Sequence, residues 1–180
     1  TVMRLIKNLG YQSYSDIKND IHTASIESTP AAWWHLQKSF EDTDHEEHTL
    51  TRIWQEVGSL LNQTLTHSLT ANFDLAIKLI LKADRVNVLG MRSSKGLAIY
   101  FGLLLEEFYP KVNQLSYDTE FIYDRASRFT KNDILLLIDN APFTTVGIDT
   151  AQFCHENNVP VILITDHFSS PAASYASVTL

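Results

Sequence analysis

The sequence is short of cysteine, of positive charge and of long apolar runs, and each shortage excludes something. A single cysteine, Cys154, allows no internal disulfide and no cysteine-held metal cluster, and in a helical context it reads as a small buried hydrophobe. Fourteen Lys and Arg against 21 Asp and Glu give a net charge of −7 and a pI near 5.4. That is the wrong balance for a domain that holds nucleic acid by bulk electrostatics. Apolar runs such as Ile134 to Ile138 fall far short of the roughly 18–20 residues a bilayer helix needs, and no basic, apolar, small-residue leader opens the chain. The expectation is a soluble cytoplasmic protein with no membrane partner. Six Gly and five Pro are too few for a collagenous or low-complexity chain. The patterns H-E-x-x-H, G-x-x-x-x-G-K-[ST] and G-x-G-x-x-G are all missing, which disfavours zinc hydrolysis, nucleotide hydrolysis and hydride transfer. The seven His show no ligand spacing, so neither a metal nor a cofactor is expected.

What is present suits one globular domain with a small appendage: 180 residues, 44% apolar and 19% charged. Val2, Leu5, Ile6 and Leu9 lie at helical spacing. Gly10 stands where a left-handed C′ residue belongs, with Tyr11 able to fold back over the helix. Ser13 and Asp16 then form a capping-box pair that opens a second helix carrying Tyr14, Ile17 and Ile21. From residue 24 to 48 the period is lost, and Glu41, Asp42, Asp44, Glu46 and Glu47 crowd five acids into seven positions. We read 1–23 as a helix-turn-helix-like segment, 24–48 as a linker and 49–180 as the main domain. Because the chain opens inside an amphipathic stretch and closes on a strand-like run, it reads as a fragment cut at both ends.

Two long helices come next, with Leu50, Ile53, Trp54, Val57, Leu60, Leu61 and Leu65 as the stripe of the first. An ordered alternation follows: strand 85–89, helix 95–109, strand 112–116, helix 120–129, strand 134–139, helix 144–157, strand 159–165, a loop holding Pro171, and a last strand at 176–180. Near-continuous apolar strands separated by helices predict a doubly wound parallel sheet in three α/β/α layers.

In such a sheet, ligands bind outside the carboxyl ends of the strands where the strand order reverses. Three loops qualify. Gly90-Met91-Arg92-Ser93-Ser94-Lys95 combines a tight turn, two hydroxyls, helix N-terminal amides and two cations, all of which suit a phosphate; equally, Ser93 or Ser94 could simply cap the helix. In the second loop, Asp139 to Thr145, Thr144 or Thr145 can cap the next helix, while Asp139 would repel a phosphate unless a base or metal intervened. The third, Asp166 to Pro171, reads as an ordinary loop with Pro at a helix start. Glu106, Glu107 and His155 are the candidates for the general base that a sugar isomerase would need.

With these loops located, the chain resembles the RpiR (MurR/RpiR) family of bacterial transcriptional regulators, which join an N-terminal helix-turn-helix to a SIS (sugar isomerase) phosphosugar-binding domain. Residues Thr1 to Tyr11 with Ser13 to Lys18 are similar to the family's recognition helix and the helix after it. Val86 to Ala98 resembles the first SIS strand, loop and helix, and the run from Ile162 through Pro171 to Leu180 resembles the family's ending. The likeness implies a non-enzymatic, DNA-binding regulator. Thr1, Arg4 and Lys7 would meet double-stranded DNA, and Gly90, Arg92, Ser93, Ser94, Asp139 and Thr144 would meet a small phosphorylated sugar, within a homodimer or dimer of dimers. Two departures stand out. Arg92 replaces the second Gly of the family's G-x-G-x-S, and Asp139 replaces the first Ser of its S-x-S-G-x-T, leaving only Thr144 of that motif. A sugar-phosphate isomerase and a SIS dimerisation module without ligand are the alternatives.

Overall fold

Five short strands form one parallel sheet because each of the first four is followed by a segment long enough to cross over and too apolar on one face to remain in water. The computed structural model describes residues 6–7, 9–16, 49–167 and 169–180, and the chain divides into two units, residues 1–52 and 53–180.

In the first unit the local code at the turn is legible atom by atom. Gly10 sits at φ +88°, its N–H donates to the Lys7 carbonyl at 3.1 Å, and the Tyr11 N–H donates to the Ile6 carbonyl at 3.1 Å. That pair of bonds is a Schellman closure. The Ser13 N–H donates to Asp16 Oδ2 at 2.8 Å and the Asp16 N–H to Ser13 Oγ at 3.2 Å, the reciprocal capping box expected from the sequence. Lys7 is exposed. Thr1, Arg4 and the segment 24–48 lie outside the described residues.

Helix α1 spans Thr49–Thr64 and α2 spans His67–Lys82. The Thr66 side chain caps α2 by accepting the Leu69 N–H at 3.1 Å. The remaining elements are β1 (Arg85–Gly90), α3 (Ser94–Glu106), β2 (Val112–Gln114), a 3₁₀ turn (Thr119–Phe121), α4 (Ile122–Ala126), β3 (Asp133–Ile138), α5 (Thr145–Glu156), β4 (Val161–Ile164), a 3₁₀ helix (Pro171–Tyr175) and β5 (Val178–Thr179). The strand order is β2-β1-β3-β4-β5, with every pair parallel.

Alternation along each strand sends neighbouring side chains to opposite faces. In β3, Leu135 and Leu137 join Leu89, Leu163, Ala151 and Cys154 on the face covered by α4 and α5. Ile134, Leu136 and Ile138 join Val86, Val88, Ala76 and Ala98 under α2 and α3. Two covered faces explain why β3 is apolar from Ile134 to Ile138, and each fully buried Leu there stabilises by roughly 1.5–3 kcal/mol. Asn72 Nδ2 donates to the Thr179 carbonyl at 2.9 Å and so ties α2 to the edge strand β5.

The predicted helix 120–129 is instead a 3₁₀ turn followed by the five residues of α4. Phe121 leaves helical geometry at φ −105°, ψ 20°, and the Arg128 and Phe129 N–H groups close back three residues, onto Arg125 and Ala126, so the α ladder stops. The last strand is shorter than predicted because the Ala176 N–H closes the 3₁₀ helix on Ala173 and Ser177 Oγ accepts the Val161 N–H.

Candidate functional site

In the order β2-β1-β3-β4-β5 the chain first moves one way from β1 and then the other, so the reversal lies between β1 and β3. Gly90 pairs with Ile138 and Ile138 with Ile164. The loops after β1, β3 and β4 therefore leave the sheet side by side at strand spacings of about 4.8 Å. The topology thus brings two of the three loops chosen from the sequence to the reversal point and the third next to them.

The β1 loop is shaped by close packing. A Cβ on Gly90 would stand 2.5 Å from the Ser94 carbonyl oxygen and 2.6 Å from Ala98 Cβ, so only glycine lets α3 sit this tightly on the strand end. The Gly90 N–H donates to Ser116 Oγ at 2.9 Å, which draws in the end of β2; sequence reasoning missed Ser116, and only the strand order reveals it. Arg92 takes the left-handed conformation at φ +50°, a strained choice for a residue with a side chain. It is exposed, Lys95 is half-buried, and neither belongs to the two ion pairs among the described residues, Lys111–Asp84 and Arg125–Asp118. Ser93 stands at the N-cap of α3, but its hydroxyl makes no capping bond. Ser94 in the first turn is 2% exposed. The Ser94 and Lys95 N–H groups are taken by the Met91 and Arg92 carbonyls at 2.9 and 3.2 Å, so it is the two hydroxyls and the two cations, unpaired among the described residues, that make this helix start an anion-receptive surface.

The β3 loop has the opposite character. Thr144 caps α5 by accepting the Gly147 N–H at 3.2 Å. Asp139 is 2% exposed, and its Oδ2 has no hydrogen-bond partner. Burial pushes its carboxyl up to about 6; the Thr144 backbone N–H pulls it down, and the charge of Asp166 raises it further. Asp166 accepts the Ala141 N–H at 3.4 Å through both oxygens, so the β3 and β4 loops are joined through a carboxylate. In the β4 loop the Ser169 N–H donates to His167 Nδ1 at 3.2 Å, and Ser169 Oγ lies 2.6 Å from the same nitrogen. Pro171 opens the 3₁₀ helix as expected. Ser170 Oγ is buried without a partner. A cavity of about 290 Å³ adjoins this edge, lined by Gln63, Thr66, Leu69, Asp166, His167 and Leu180 among others.

Helices in this fold run opposite to the strands, so Glu106 and Glu107 at the end of α3 and His155 at the end of α5 lie at the far edge of the sheet. His155 meets Tyr175 edge-on at 6.0 Å instead. The side chains at the mouth with acid–base chemistry are instead Asp139, Asp166 and His167, with the cations Arg92 and Lys95 on the β1 side. No group of three metal-ligating side chains exists among the described residues. Among them, too, no helix is long and apolar enough to cross a membrane.

The SIS domain family model matches residues 79–180. The fold is similar to the sugar isomerase domain of an RpiR transcription factor from Sphaerobacter thermophilus, with TM-score 0.68 and 22% identity over 74% of this chain and 75% of that one. It is similar also to the Vibrio vulnificus NanR protein complexed with ManNAc-6P, with TM-score 0.61 and 19% identity over 99% of this chain and 61% of that one. A Methanococcus jannaschii protein with an inferred 3-hexulose-6-phosphate isomerase function gives TM-score 0.55 and 20% identity over 64% and 61%. At these identities the likeness is one of fold. No curated protein matches the sequence.

Proposed function

The chain belongs to the SIS domain family, and from that premise we propose that it is a DNA-binding transcriptional regulator whose SIS domain senses a phosphorylated sugar. The observation that carries the sensing half is the N-terminus of α3, where Arg92, Ser93, Ser94 and Lys95 gather two cations and two hydroxyls to which, among the described residues, no carboxylate is bonded. Gly90 sets the close approach, and Thr144, capping α5 across the reversal point, holds the opposite wall. The regulator half is supported by the Schellman turn at Gly10 and the capping box at Ser13, local geometry suited to two short helices meeting at a turn. In this reading Thr1, Arg4 and Lys7 face double-stranded DNA. A ligand acts by binding one arrangement of a homodimer, or of a dimer of dimers, more tightly than another.

The test is a thermal-shift titration against sugar phosphates and the matching free sugars, with Ser94→Ala alongside. A phosphorylated sugar at 100 times its dissociation constant adds about 2.7 kcal/mol, and that gain should be lost in Ser94→Ala. Stabilisation by free sugars alone, or equal stabilisation of Ser94→Ala, overturns the phosphate cradle. For the other half, Arg4→Ala with Lys7→Ala should weaken binding to selected duplexes and flatten its salt dependence. An unchanged salt slope removes these residues from the interface.

A second reading, a sugar-phosphate isomerase, has one observation in its favour. Asp139 lies at the mouth with its carboxyl near 6, a suitable value for a general base close to neutrality. Solvent-deuterium incorporation into a bound sugar phosphate, abolished by Asp139→Asn, would establish it.

A further inference from the structure

The mouth of the site is divided by charge. On the β1 side stand Arg92 and Lys95, unpaired among the described residues. On the β3 and β4 side stand Asp139 and Asp166, close enough for the charge of one to disfavour ionisation of the other. Neither carboxylate has a cationic partner there. Their recorded partners are neutral donors: the Thr144 amide for Asp139, and the Ala141 amide and the Thr165 hydroxyl, at 3.4 and 3.5 Å, for Asp166; the neighbouring His167 ring is engaged through Nδ1 by Ser169. Asp139 Oδ2 is fully enclosed, lies 3.6 Å from where a Gly147 Cβ would sit, and accepts nothing. Buried acceptors without donors are rare and costly, so this oxygen, 98% of whose residue is out of water, lacks a partner that the chain does not supply. Its enclosure by α5 also means that the anion position at that helix N-terminus is filled by the protein's own carboxylate, which turns a phosphate away to α3.

We infer that the ligand bridges the two sides, with its phosphate at Arg92, Ser93, Ser94 and Lys95 and a free primary ammonium group at Asp139 and Asp166: a phosphorylated amino sugar whose amine is not acylated. This rests on the sensing function proposed above and narrows its ligand. A neutral hydroxyl would satisfy one lone pair and leave two neighbouring carboxylates uncompensated; an ammonium group supplies three donors and the opposite charge. β1 lies one strand spacing from β3 and two from β4, about 5 and 10 Å, a range that includes the separation of an amine and a phosphate on one hexose. Because Oδ2 is enclosed, this contact requires residues 140–143, half-buried to exposed, to give way to the amine.

Calorimetric titration of the chain with glucosamine 6-phosphate, N-acetylglucosamine 6-phosphate, glucose 6-phosphate and glucosamine separates the possibilities. Glucosamine 6-phosphate should bind at least about tenfold more tightly than each of the other three, the scale of one charge-assisted hydrogen bond. In Asp139→Asn, which keeps the side chain's shape, its advantage over glucose 6-phosphate should vanish while glucose 6-phosphate binding persists. In Arg92→Gly, which removes a strained backbone position, all three phosphates should weaken together. If the acetylated or hydroxyl analogue binds as well, or the preference survives in Asp139→Asn, the amine assignment fails and the phosphosugar sensor stands. If none of the phosphates binds, both fail.

Discussion

Asp139 makes the stability of this protein depend on pH in an unusual direction. An acid whose folded pKa is raised from 3.8 to about 6 binds its proton more tightly in the folded chain than in the unfolded one. Its contribution to stability is therefore greatest below the unfolded value and is lost as pH rises through about 6, by up to about 3 kcal/mol. Denaturant titrations between pH 4 and 7 should show the wild type weakening across that window while Asp139→Asn stays level, the variant being the more stable at pH 7. Parallel curves would mean that the carboxyl ionises freely. Cys154 gives a second residue-scale expectation. It is wholly buried, and burial pushes its thiol up to about 12, so thiol reagents should label it only at the rate of unfolding. The sequence exposed Asp139 as a carboxylate where a hydroxyl was expected, and Cys154 as a core residue. It did not show that Oδ2 would be enclosed and unpaired, because enclosure depends on Gly147, Asp166 and Ile164, brought there by strands that pair only in the folded sheet.

At the scale of elements, two devices hold the site's helices in place. Thr144→Ala removes the side-chain cap of α5 and should cost about 1 kcal/mol, read as a lower unfolding midpoint with unchanged slope. Gly90→Ala would drive a Cβ into the Ser94 carbonyl and Ala98. It should cost roughly 1–3 kcal/mol and shift α3, so that sugar-phosphate affinity falls along with stability. An alanine variant with wild-type melting and binding would show that α3 has room to retreat. Elements closed by short-range chemistry were legible in advance: Gly10 and the Ser13–Asp16 pair read as a turn from a handful of residues and form one. The segment after β2 was not, because five helical residues present little more than one turn of period, and tight 3₁₀ closures at 119–121 and 127–129 interrupt it.

For the whole molecule, the alternation of apolar strands and helices was enough to place the chain in a three-layer parallel fold, but not to order the strands. The order β2-β1-β3-β4-β5 depends on which strand returns to which edge. That choice brings Ser116 to Gly90 and sets Asp139 between the β1 and β4 loops, none of which spacing along the chain reveals. The outer faces of α1 and α3 remain uncovered: Ile53, Trp54, Val57 and Leu61 on one, Leu97, Tyr100 and Leu104 on the other, with Phe108 just beyond α3, Trp54 78% and Phe108 84% exposed. Apolar surface of this extent is of the kind found at interfaces, and the homodimer proposed above would cover it. Sedimentation equilibrium should return twice 20.4 kDa or a higher even multiple, and Trp54→Glu with Phe108→Glu should return the monomer. A monomeric wild type would dismiss a self-association role for these faces.

Because α3 packs on one face of the sheet and α5 on the other, the two helix starts that frame the site belong to different cores. A ligand held between them, as proposed above, would be a keystone: it would press on both hydrophobic layers at once, and neither could loosen without releasing it. Bound protein should therefore exchange its amide hydrogens more slowly under both faces together, in residues such as Leu136 and Leu137 that point away from each other and touch no ligand.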